Sequence, residues 1–134
     1  MAKPSALILF AHGARAASWA APFQRLQTML REQLPDTPVE LAFLELMEPS
    51  LSDVVARLVQ QGCNQISVVP VFLGQGGHVS RDLPAMVDTL RATYPALQLE
   101  VAGAVGESPA VLAAIAAYRS EEHTSELQSR QYLV

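Results

Sequence analysis

The chain has 134 residues, half of them hydrophobic and 16% charged, and 9 Lys plus Arg against 13 Asp plus Glu leave a formal charge of −4. This composition excludes a disordered chain and fits one ordinary domain with its own core. The acidic balance argues against nucleic-acid binding, the lone Cys63 excludes an intrachain disulfide, and the opening apolar run Ala6 to Ala11 is too short for a signal or membrane segment, so the expectation is a soluble cytoplasmic protein.

In chain order, Ser5 to Ala11 (SALILFA) reads as the first strand. Trp19, Phe23, Leu26 and Leu30 then step along one face of a helix that Pro35 stops. Val39 to Glu45 is the second strand. Ser50 caps a second helix bearing Leu51, Val54, Val55, Leu58 and Val59, and Gly62 follows its end. Gln65 to Leu73 is the third strand, with Pro70 as its one conflict, since proline cannot donate to a ladder; a bulge or unpaired position is expected there. Leu83, Met86, Val87, Leu90 and Tyr94 mark a third helix, stopped by Pro95. Leu97 to Gly103 is the fourth strand, and Ser108-Pro109 opens a fourth helix with Val111, Leu112, Ile115 and Tyr118 on one face.

Near-continuous apolar strands alternating with amphipathic helices predict an α/β fold: a four-stranded parallel sheet in flavodoxin-like order 2-1-3-4, with helices on both faces. Residues 120–134 (SEEHTSELQSRQYLV) break with this pattern. The Ala-rich periodicity stops at Ser120, and the segment reads as a translated sequencing adapter or cloning scar. The expected domain is therefore 1–119, with 120–134 a disordered or artefactual tail that carries His123.

Open parallel sheets bind ligands beyond the carboxyl ends of their strands, at the switch point, here between strands one and three. Strand one runs into His12-Gly13-Ala14-Arg15, strand two ends at Glu45, and strand three leads into Gly74-Gln75-Gly76-Gly77-His78-Val79-Ser80-Arg81. Each residue has a plain reading: His12 as a loop residue, His78 in a flexible glycine loop, Glu45 as a solvated carboxylate, Arg15 and Arg81 as surface charges. Their joint placement favours a site, and imidazole with carboxylate suits a borderline divalent metal. The glycine loop lacks the Lys-Ser/Thr of a P-loop and follows the wrong strand for a dinucleotide fingerprint. Gly77 would let backbone approach a flat ligand closely.

His-Gly after the first strand, VELAFLELMEPSL and VVPVFLGQGGHVSRDLP together resemble the small, single-domain sirohydrochlorin chelatases of the CbiX type, class II chelatases, over about residues 5–119. The resemblance implies a lyase that inserts a divalent metal into sirohydrochlorin, cobalt for cobalamin first, with iron or nickel as alternatives. It also makes Pro70 a family feature of the strand. His12 and His78 match the histidines that hold metal or accept pyrrole protons, and Glu45 matches the acidic residue of the Phe-Leu-Glu motif. Ala14 departs from the Ser common in relatives, so any hydroxyl role there is lost. The metal would be a substrate with no permanent cofactor, because two His and one Glu leave coordination positions open to the ring nitrogens. Arg15 and Arg81 are candidates for the substrate carboxylates, with Gly76, Gly77 and Ser80 beside them. A single domain implies a homodimer that supplies a second wall. Two alternatives are a non-catalytic metal carrier and a histidine-phosphatase-like phosphoryl-transfer enzyme. The latter requires Arg before the first-strand His, where this chain has Ala11.

Overall fold

A strand apolar along nearly its whole length needs cover on both faces, and β1 (Ser5–Ala11), apolar from Ala6 on, is placed in that way. Its Ile8 and Phe10 belong to one buried cluster, and its Leu9 and Ala11 to another on the opposite face. The computed structural model describes residues 5–74 and 76–119; the side chains of His78 and Ser80 lie outside that description. Strands β1, β2 (Val39–Phe43), β3 (Gln65–Pro70) and β4 (Gln98–Val101) alternate with helices α1 (Ala21–Gln33), α2 (Leu51–Gln60), α3 (Gly77–Thr93) and α4 (Pro109–Tyr118). The sheet is parallel throughout, in the expected order β2-β1-β3-β4.

Helices α2 and α3 fill one face: Leu51, Val54, Val55 and Leu58 with Val79, Leu83, Val87 and Leu90 pack on Ile8, Phe10, Ile66, Val68 and Leu99. On the other face α1 brings Phe23, Leu26 and Leu30, and the 3-10 turn Ala17–Ala20 brings Trp19, against Leu9, Val39, Leu41 and Phe43. The caps form as the residue types dictate. Ser50 accepts the Asp53 N–H at 3.1 Å, and Gly62 takes φ +94 just past α2. One outward carbonyl on each edge strand is capped from the preceding helix. Arg31 Nε and Gln27 Nε2 donate to the Val39 carbonyl of β2 at 3.1 and 2.8 Å. Arg91 donates twice to the Leu99 carbonyl of β4, at 2.6 and 3.2 Å.

Three expectations are corrected and one, at Pro70, is narrowed. Strands two, three and four are shorter than the apolar runs, and Glu45, Leu73 and Gly103 lie in the loops that follow. Pro70 makes no bulge: it ends β3 in regular register opposite Phe10. The Val71 N–H goes to Phe10 on β1, so by alternation the ring of Pro70 lies on the β4 side. The Ala102 N–H still donates to Val68 at 2.9 Å, but the next bond of that ladder would need an N–H from Pro70, so pairing with β4 stops there, and of the two outcomes expected at Pro70 the unpaired position is the one found. Helix α3 begins at Gly77, inside the glycine loop and ahead of its apolar stripe, so His78 is in a first helical turn and not in a flexible loop. Finally, α4 buries none of its residues; Leu112 and Ile115 are half exposed. The sheet surface nearest in sequence offers it no apolar floor, because the paired Ser67 and Glu100 on the α1 side are polar and exposed. The segment 120–134, with His123, lies outside the described residues.

Candidate active site

The parallel sheet brings the loops after β1, β2 and β3 side by side at one end. His12 is the first residue past β1 and is partly buried. Its ring is tilted by 43° over Phe72, with centroids 4.4 Å apart. Phe72 is itself buried and meets Phe10 edge-on at 5.9 Å, so a core aromatic supports the imidazole from below. The loop after β2 is tied to the same place by backbone: Leu44 N–H donates to Ala11 at 2.8 Å and Glu45 N–H to His12 at 3.0 Å. Gly13, at φ +96, is required here, since a Cβ would run into the Glu45 carbonyl oxygen.

His12 and Glu45 are thus neighbours through their main chains, and the Glu45 side chain is exposed at the mouth of the sheet. His78 enters from the third loop, in the first turn of α3, which starts at the same carboxyl end; its side chain lies outside the described residues. Gly76 is the N-cap of that helix, with extended backbone (φ −74, ψ 168), and Gly77 is its first residue. The side chain of Ser80 also lies outside the described residues. Arg15 and Arg81 are exposed, Arg15 in the loop beyond His12 and Arg81 on α3. Neither makes an ion pair among the described residues, unlike Arg57, which holds Glu40 at 3.1 Å. No cluster of three His, Cys, Asp or Glu side chains is assembled among the described residues. Cys63 is buried ahead of β3, at the opposite end of the sheet, and burial pushes its thiol pKa up. It is therefore no ligand to this site.

Nothing in the sequence singles out Phe72 or Leu46. Phe72 is one apolar residue among several in the third run of the sequence. Leu46 has φ +66, a conformation that its residue type does not announce. A groove of about 370 Å³ follows α3 and the end of β4, between Pro70, Leu83, Val87 and Val101, but holds neither His12 nor Glu45. The open carboxyl edge is the better candidate, because the chemically competent groups are there.

Residues 6–122 match the family model described as CbiX. A sirohydrochlorin cobaltochelatase of Methanocaldococcus jannaschii is 34% identical over 89 residues, covering 66% of this chain and 62% of the relative. One from Methanopyrus kandleri is 34% identical over 82 residues, covering 61% and 57%. The match thus spans less than two thirds of these curated relatives. Among solved structures, a protein described as CbiX of cobalamin (vitamin B12) biosynthesis from Marinobacter aquaeolei VT8 superimposes with TM-score 0.79 at 34% identity, over 94% of this chain and 99% of that one. The sirohydrochlorin chelatase SirB of Bacillus subtilis subspecies spizizenii, solved in complex with cobalt, gives TM-score 0.67 at 26% identity, over 84% of this chain and 48% of that one.

Proposed function

The chain belongs to the CbiX family, and on that premise we propose that it inserts a divalent metal, cobalt first among candidates, into sirohydrochlorin. The observation that carries the reading is His12 at the mouth of β1, braced on Phe72 and joined by backbone to the Glu45 loop. Iron and nickel use the same ligand chemistry, and the choice among them follows supply as much as affinity.

Metallation exchanges two pyrrole N–H bonds for metal–nitrogen bonds and releases two protons. In this reading His12 and His78, as neutral imidazoles, bind the incoming ion or accept those protons. Glu45 compensates the charge of the dication while the ring nitrogens replace the protein ligands one by one. A site of this kind keeps open positions and lets the metal go; a closed thiolate site would retain it. The substrate is a polycarboxylate, and the exposed Arg15 and Arg81 stand on either side of the edge in sequence and topology. Gly76 and Gly77 bring backbone to the start of α3, beside the same edge, and Ser80 belongs to the same first turn.

The working unit in this reading is a homodimer in the cytoplasm, with neither nucleic acid nor membrane as partner. A four-stranded domain covers one side of a flat ring, and a symmetric copy supplies the other. The SirB match covers about half of that chain, as expected if a longer relative joins two such units covalently. Sedimentation at micromolar concentration tests this point: a dimer is expected, and a fully active monomer would contradict the shared cleft.

The experiment for the reaction mixes the protein with sirohydrochlorin and Co²⁺ and follows the absorption spectrum. Conversion to the cobalt complex faster than in protein-free solution is expected. Co²⁺ binding with no acceleration would replace the chelatase reading with the metal-carrier one.

A further inference from the structure

We propose that Leu46 and Leu73 are the apolar contacts that receive the flat face of the tetrapyrrole over His12, an inference that rests on the metal-insertion reading above. Leu46 lies one residue beyond Glu45, whose N–H is bonded to the His12 carbonyl. The Met47 N–H donates back to the Glu45 carbonyl at 2.8 Å, which makes Leu46 the centre of a three-residue turn with φ +66. That turn is rare and strained for any residue with a side chain, and among the described residues Leu46 is the one non-glycine at positive φ. Its side chain is 59% exposed. A leucine placed there is disfavoured both by its backbone and by water, and glycine would relieve both. Backbone strain of this kind clusters at active sites and ligand clamps, and this turn lies beside His12.

Leu73 mirrors it across the site. It is 67% exposed and follows Phe72, the residue that supports the His12 ring. Its backbone is held firmly: the Gly106 N–H donates to the Phe72 carbonyl at 2.9 Å, and a Cβ on Gly106 would strike the main chain of Leu73. The strand order puts the Leu46 turn after β2 and Leu73 after β3, on either side of His12 after β1. Three adjacent strands span about 10 Å, the scale of a planar macrocycle and too wide for one side chain to cover. The charged rim of such a ligand needs cations, but its faces need apolar contacts, and the imidazole alone does not supply them. The other exposed large apolar side chains among the described residues, Met29, Leu34, Leu112, Ile115 and Tyr118, belong to α1, α4 or the turn after α1.

The test titrates wild type, Leu46→Gly, Leu73→Ser and Leu46→Met with metal-free sirohydrochlorin, followed by fluorescence, and pairs each titration with steady-state cobalt insertion and a melting curve. Leu46→Gly should keep or raise Tm because the turn is relieved, yet weaken sirohydrochlorin binding about tenfold. KM should rise by the same factor while kcat stays within about twofold, the mark of a contact made equally in ground and transition states. Leu73→Ser should act in the same direction, and Leu46→Met, apolar and similar in volume, should bind within about threefold of wild type. Wild-type affinity in both Leu46→Gly and Leu73→Ser, with insertion intact, would overturn the proposal and leave the chelatase reading standing. Altered sedimentation with unaltered affinity would also overturn it, because the leucines would then face a second copy. A wild-type protein that does not bind sirohydrochlorin at all would remove both.

Discussion

At Gly13 the absence of a side chain is what lets two loops meet at the carboxyl edge of the sheet. The residue stands at φ +96 with its Cα against the Glu45 carbonyl, so alanine there meets both an unfavourable backbone and a collision with main chain. Gly13→Ala should cost roughly 2 kcal/mol or more in urea unfolding, or else push the Glu45 loop away and reduce insertion. A variant with the stability and rate of the wild type would show that the loops are not locked together. Cys63 offers a second residue-scale check. Burial disfavours its thiolate, so the native protein should resist a thiol reagent that labels it fully in denaturant. Fast labelling without denaturant would mean that the end of α2 opens readily.

At the scale of elements, both edge strands are held by an arginine in the last turn of the helix before them, eight residues ahead of the carbonyl it caps: Arg31 to Val39 and Arg91 to Leu99. An open edge invites pairing with another chain, and each guanidinium group occupies one outward carbonyl of its edge. Arg91→Met should lower stability by about 1 kcal/mol at unchanged denaturant m-value. Arg31→Met should cost less, because Gln27 still donates to Val39. Equal and negligible effects would make both contacts incidental. Such contacts join residues across a turn and have no periodic signature, so they were not legible beforehand. The sheet order and the stripes of α1, α2 and α3 were legible, because Leu51, Val54, Val55 and Leu58 recur at helical spacing and Ile8 to Ala11 is apolar without a break. The start of α3 was not, since Gly76 and Gly77 suggest a loop while the chain enters the helix there. Nor was the exposure of α4, whose apolar residues read as a core face. That His12 and Glu45 fall just past β1 and β2, at the carboxyl edge, follows from topology alone. Their coupling through Gly13 and the brace from Phe72 depend on three-dimensional approach that spacing does not encode.

For the whole molecule, the two core clusters and the four-stranded sheet are complete without residues 120–134. Ending the chain at Arg119 should therefore leave Tm and insertion rate close to those of the full chain; loss of soluble protein or of activity would restore His123 as a candidate ligand. The central claim is that the histidine-bearing edge performs metal insertion. Its most direct test is the rate of cobalt insertion into sirohydrochlorin by wild type, His12→Ala and His78→Ala, each confirmed folded by circular dichroism. The account predicts a loss of at least about 10²-fold in each variant, the effect of removing a proton acceptor or metal ligand. Insertion at the wild-type rate by either variant would contradict it.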